Sequence, residues 1–242
     1  YLPDKAQSCP SCKSLLIFFS YSPDDSKYAT IIIIPQKGEI KMCGRFLLES
    51  EVEDLVARYN AEYSMENFKS GEIFPSESAI TVVKADDKIK LMPMKWGFPM
   101  HKSKKLVINA RIETVENKPM FKSSLQSRRC IIPANAFFEW KAENGKKIKH
   151  KISKSRENIF SMGAIYSDDA FVILTIGADG KMKSIHDRMP FILSRELENI
   201  WLDPNTDLNF LKSIMSGPGF IDFDISPVEP VKEYTLFDFL NQ

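Results

Sequence analysis

Apolar and polar positions change rhythm several times along the chain. Leu47, Leu48, Val52, Leu55, Val56 and Tyr59 recur at helical spacing, with acidic residues early and Ser50 placed as an N-cap. Phe74-Pro75-Ser76 breaks that pattern, and Ala79 to Val83 reads as a strand. Leu91 to Pro99 sets Trp96 beside glycine and prolines, which predicts a rigid, exposed turn. Val107 to Thr114 is a short apolar strand running into polar residues, Phe121 to Ser127 a short helix, and Cys130 to Pro133 a buried strand and stop. Phe137-Phe138-Glu139-Trp140 follows, and Lys141 to Lys151 reads as a hairpin through Asn144-Gly145. Ile159 to Ile165 and Phe171 to Ile176 are strands, Glu196 to Leu202 and Leu208 to Met215 short helices, and Ile225 to Val228 a last strand.

Residues 1–41 differ in texture from the rest. They hold Cys9-Pro10-Ser11-Cys12, a Ser/Tyr/Asp-rich stretch and Ile31 to Ile34, a run that reads as an added strand or an exposed liability. A structural zinc site needs four ligands and no second cysteine pair follows, so no metal is expected. This segment is expected to be an extension ahead of one domain over 42–235, absent from the working protein if translation starts at Met42. The 242 residues are 43% hydrophobic, enough for one large domain or two small ones.

Charge adds a location. Residues 101–160 carry 15 Lys/Arg against 5 Asp/Glu, in a chain whose net charge is only +1. A basic middle points to a local anionic partner or to a lysine-rich solvated surface. Four cysteines are too few for a disulfide framework and fit a reducing compartment. Leu15 to Phe19 and Ile31 to Pro35 are too short to span a membrane, and the beginning lacks signal-peptide features. The expectation is a soluble, cytoplasmic protein with no membrane partner.

Four residue settings carry candidate chemistry. Cys43, directly after Met42, is either a buried core cysteine or, once N-terminal, a 1,2-aminothiol. In that second case its amine titrates near pH 7.7–8.0 (roughly the model value) and can condense with an aldehyde. Glu139 among three aromatics is either a desolvated acid/base or a strand glutamate facing water. His186, in Ser184-Ile185-His186-Asp187-Arg188-Met189-Pro190, is either poised at a strand mouth or an ordinary surface histidine. Trp96 either meets a ligand or packs in the core.

Together these fragments resemble the SOS-response-associated peptidase (SRAP) family, the abasic-site processing proteins. The matching motifs are Met42-Cys43-Gly44-Arg45-Phe46, Trp96-Gly97, Asn109-Ala110-Arg111-Ile112-Glu113-Thr114, Arg129-Cys130-Ile131-Ile132-Pro133, Phe138-Glu139-Trp140 and His186-Asp187-Arg188-Met189-Pro190, in family order. The resemblance implies an α+β fold: one domain with a barrel-like, mostly antiparallel β core and short flanking helices. It implies a cofactor-free monomer that binds abasic sites in single-stranded DNA and crosslinks to them through Cys43. Glu139 would position the amine and shuttle its proton, His186 would assist opening of the sugar ring, and Asn109 would orient the reacting groups. Arg45, Arg111 and Arg188 would hold phosphates, with Pro75, Trp96 and Thr175 contacting bases or backbone. A cysteine peptidase, including self-cleavage that exposes Cys43, and a non-catalytic single-strand binding module are the alternatives. In the family the cysteine stands second; here it stands at 43, so its nitrogen must first be freed.

Overall fold

The computed structural model describes residues 5–8, 15–21, 28–34, 44–63, 68–100, 103–216, 219 and 221–229. The chain divides into two compact units, residues 1–41 and 42–242. The first holds an antiparallel meander of β1 (Lys5–Ser8), β2 (Leu15–Tyr21) and β3 (Tyr28–Ile34), so Ile31 to Ile34 lie in a strand. Cys9 and Cys12 lie outside the described residues.

The second unit opens with β4 (Phe46–Leu48) and α1 (Val52–Tyr59). Next come β5 (Gly71–Ile73), β6 (Ser78–Ala85), β7 (Lys88–Trp96), β8 (Phe98–Pro99), β9 (Leu106–Val107) and β10 (Asn109–Arg111). After α2 (Ile112–Val115) and α3 (Pro119–Ser127) run β11 (Arg129–Ala134), β12 (Ala136–Glu143), β13 (Lys146–Lys154), β14 (Phe160–Ser167) and β15 (Ala170–Gly177). A 3-10 turn (Gly180–Ser184) leads to β16 (Arg188–Pro190), β17 (Ile192–Leu193), α4 (Arg195–Leu202), α5 (Leu208–Ser216) and β18 (Phe223–Pro227).

Pairing runs β15–β7–β6–β11–β14 and back to β15, so the main sheet is ring-like. It is not a regular barrel, because the β6–β11 and β7–β15 seams are one and two residue pairs long. β10 and β16 flank the C-terminal half of β15, the first parallel and the second antiparallel. A second, antiparallel sheet runs β18-β13-β12-β4-β5. Alternate side chains of a strand face opposite ways. Phe137 of β12 therefore enters the main core, edge-on to Phe160 and Phe223 at 6.4 and 5.7 Å. Ala136 and Phe138 face the other way and form a small separate cluster with Leu47, against Trp140 and Val228.

Two buried cations tie helices to the ring. The Arg129 guanidinium donates to the carbonyls of Leu125, Gln126, Trp201 and Asp203, joining α3 and α4 to the start of β11. Desolvation by burial holds its pKa down to about 10. Arg58 of α1 makes a bidentate pair with Glu198 of α4 at 2.6 and 2.9 Å. Glu198 also accepts from Ser161 Oγ of β14 at 2.6 Å. Both charged side chains are only 10% exposed. Glu198→Ala strands the Arg58 charge and is expected to lower the unfolding free energy by about 3–5 kcal/mol. Urea unfolding reads this, and a loss below about 1 kcal/mol, the range of an exposed pair, would contradict it.

Two expectations are corrected here. Leu47 and Leu48 belong to β4, and α1 starts after Glu51 with no side-chain cap. Ser50 does not cap because its hydroxyl is drawn to Asn135, at 3.2 Å from Nδ2. Leu91 to Trp96 is strand rather than exposed turn. Pro93 is tolerated because β7 pairs only with β6 there; β15 joins it further on, at Lys95 and Trp96.

Candidate functional site

The second unit's described chain begins beside Glu139. β4 and β12 pair Leu47 with Ala136 and Phe46 with Phe137, and the Phe138 amide donates to Arg45 O at 3.0 Å. Continuing that register sets Glu139 opposite Gly44, the residue after Cys43. Glu139 is 2% exposed and shares the core-facing side of β12 with Phe137. Cys43 itself lies outside the described residues.

Arg45 points to the opposite face. Its Nη1 donates to Glu72 Oε1 at 3.1 Å, and its guanidinium stands 4.5 Å from the Phe74 ring and 5.1 Å from the Trp140 ring. Pro75, half-buried, follows Phe74 in a turn. The turn is latched to the end of β7: Ser76 N donates to Trp96 O, and Trp96 N to Glu77 O, each at 2.8 Å. Arg45, Glu139 and Pro75 thus form one group around β4.

The other group surrounds the C-terminal half of β15. Asn109 and Arg111 pair with Ile173 and Thr175, and Thr175 pairs across its other edge with Pro190. Arg188 donates to Thr175 O at 2.6 Å and, in bidentate fashion, to Glu113 at 2.6 and 2.9 Å. Arg111 is exposed, whereas Thr175 is fully buried. His186 Nδ1 lies 2.8 Å from Asp187 Oδ1 and 3.0 Å from the Arg188 amide nitrogen. Nδ1 accepts the Arg188 amide N–H or donates to Asp187, depending on which ring nitrogen carries the hydrogen.

Trp96 joins the two groups. Its indole is fully buried, 5.2 Å from the Phe46 ring and stacked on Phe171 at 6.2 Å. Its Nε1–H donates to Ile108 O at 2.9 Å, one residue before Asn109. Gly97 follows with φ +121, and a Cβ there would meet Leu106 at 3.0 Å. The tight approach of β9 and β10 therefore needs glycine at this position.

Three of the assigned contact residues lie largely within the fold. Trp96 is a core ring packed against Phe46 and Phe171. Thr175 is fully buried and its carbonyl accepts from Arg188. Arg188 is 12% exposed with its fork filled by Glu113, so a phosphate would have to displace that carboxylate. What Arg188 does in the free protein is fasten the His186 segment to the start of α2. Glu113, Glu72, Phe74 and Lys149 were not singled out in the sequence. An acid two residues past Arg111, at a helix start, was the available signal for Glu113.

The Arg188 hydrogen bonds hold the Glu113 carboxyl below its ordinary range. A depressed carboxylate stabilises the fold above its unfolded pKa of about 4.3, and the contribution disappears as pH falls through the lower folded value. The stability gap between the protein and Glu113→Gln is therefore expected to be flat above about pH 5 and to close below about pH 4. Unfolding curves across pH check this. A gap that widens in acid would contradict it. A cleft of about 610 Å³ opens beside Glu113, lined among others by Ile112, Ile176, Met189 and Lys212, and it includes none of Asn109, Glu139 or His186.

A ring-like sheet with few helices, backed by a second sheet that carries a buried glutamate, defines a mixed α+β domain. The chain belongs to the SOS response associated peptidase (SRAP) family, whose model matches residues 42–231. It is 36% identical over 193 residues to the abasic site processing protein YoqW of Bacillus subtilis, spanning 72% of this chain and 86% of that protein. To the abasic site processing protein YedK of Escherichia coli it is 34% identical over 176 residues, spanning 66% and 79%. A solved phage-related protein from Bordetella bronchiseptica superposes with TM-score 0.66 at 27% identity, covering 78% of this chain and 95% of that one. A solved protein from Bacteroides thetaiotaomicron gives TM-score 0.69 at 22% identity, covering 83% and 95%. Among the described residues no helix is long and apolar enough to cross a membrane, and no acid, histidine and cysteine cluster could hold a metal.

Proposed function

We propose that the chain processes abasic sites in single-stranded DNA, and that it does so by covalent capture through Cys43 once that residue is N-terminal. The observation that carries the reading is the β4–β12 register, which brings a buried carboxylate, Glu139, alongside Gly44. The family model beginning at residue 42 and relatives named as abasic site processing proteins support it.

The ring-opened abasic sugar presents a C1′ aldehyde. The neutral amine of Cys43 adds to that carbon, and loss of one water gives a Schiff base. The thiol then adds across the C=N bond, its proton passing to nitrogen, and closes a thiazolidine. One hard step becomes two easier ones. Glu139 takes the proton released as the amine attacks, His186 donates to the ring oxygen as the sugar opens, and Asn109 orients the sugar from the end of β10. Arg111 is the exposed cation of the β15 group and meets the backbone phosphate.

Initiation at Met42 followed by removal of that methionine, or cleavage after Met42, frees the nitrogen. The test uses protein started at Met42 and an oligonucleotide from which uracil has been excised. A heat-stable protein–DNA band is the expected result, and its absence with confirmed Cys43 at the terminus would overturn the reading.

A further inference from the structure

The face of the β18-β13-β12-β4-β5 sheet that looks away from the main core carries aromatic rings and cations in alternation. Phe74, Arg45 and Trp140 stand in successive layers, with the guanidinium 4.5 and 5.1 Å from the two rings. Lys149 pairs across from Trp140 and lies 3.9 Å from the Phe138 ring. Lys147 and Lys151 fall on the same face by the two-residue period of β13. The acids of this face are Glu72, held between Arg45 and Lys149, Asp224 at the β18 edge, and Glu49 just past β4, which lines a cleft with Lys151 and Ser153. Four cations against three carboxylates leave the face with a small positive excess. Phe74 is large and apolar yet 37% exposed, and Lys69, paired with Glu77, lies 5.5 Å from its ring.

Rings that any base can stack on, interleaved with cations spaced along a groove, are what a single nucleic-acid strand requires. We propose that this face is a track for the strand flanking the lesion, with Phe74 and Trp140 as base platforms and Arg45, Lys147 and Lys151 as phosphate contacts. The inference rests on the chain being a single-stranded DNA binder. It commits to a polyanion with stacking faces, because a purely acidic peptide would leave the Phe74 ring unused. The Glu72 carboxylate fixes Arg45 between the rings, so the platform is ordered before DNA arrives.

The test is equilibrium binding of a fluorescently labelled oligothymidylate without an abasic site, measured by anisotropy over a salt series with the full chain. Phe74→Ala is expected to weaken binding roughly 5- to 150-fold, with Phe74→Tyr restoring it. Lys147→Gln is expected to reduce the salt slope by about one. Trp96 and Trp201 are fully buried and Trp140 is not. Quenching of intrinsic fluorescence on binding therefore reports Trp140, and Trp140→Phe should abolish it. Unchanged affinity in a Phe74→Ala protein with normal unfolding would overturn the proposal. So would unquenched tryptophan at saturation, or tighter binding to polyglutamate than to the oligonucleotide. Abasic capture is scored separately with protein started at Met42. Capture without any Phe74 effect sinks this track alone, whereas a Phe74 effect without capture sinks the covalent reading and leaves the track.

Discussion

Cys43→Ala, in protein started at Met42, is expected to leave no heat-stable adduct with an abasic oligonucleotide. Alanine keeps the terminal amine, so a Schiff base still forms, but that linkage returns to aldehyde and amine by adding water. Only the thiol closes the ring that resists heating. Sodium borohydride should therefore trap a product from Cys43→Ala, while the unreduced sample shows none. Acetylating the terminus should remove both products, because the amide nitrogen no longer attacks. The acetylated protein also separates capture from peptidase chemistry, which needs the sulfur and not the amine. An unreduced adduct of ordinary yield from Cys43→Ala would move the chemistry to another residue.

Glu139→Gln is expected to slow capture by about 10²–10⁴-fold, the range of a lost acid–base group. The residue is 2% exposed beside Phe137, and glutamine keeps its shape while losing the site that takes a proton. Affinity for intact single strand should hardly change, because the carboxylate lies on the core side of β12 and the aromatic and cationic face lies on the other. Single-turnover capture rates separate the two quantities. A rate within about threefold of the parent would leave Glu139 a structural glutamate.

The sequence made local features legible and concealed those set by distant partners. Asn144-Gly145 forecast a two-residue hairpin, and Glu143 pairs with Lys146 around φ values of 48° and 74°. Leu208 to Met215 forecast α5 because one apolar stripe decides a short helix. Ser50 misled because Asn135, far along the chain, competes for its hydroxyl. Trp96 misled because glycine and prolines around it resemble a turn, whereas its burial depends on Phe46 and Phe171 arriving from other strands. The sequence marked Arg188 but gave no sign of its bidentate pair with Glu113, 75 residues earlier. For the candidate site, the order of the motifs gave the residues, but only strand pairing shows that Glu139 neighbours Gly44 and that Arg111, Thr175 and Arg188 share the end of β15.

The central claim is a two-bond link between Cys43 and the C1′ carbon. Intact mass spectrometry of the unreduced adduct, followed by peptide mapping, tests it most directly. The account predicts a mass equal to protein beginning at Cys43 plus oligonucleotide minus one water, with the terminal peptide carrying the sugar and no free thiol at Cys43. An adduct on a lysine side chain, or one whose Cys43 thiol still alkylates, would contradict it.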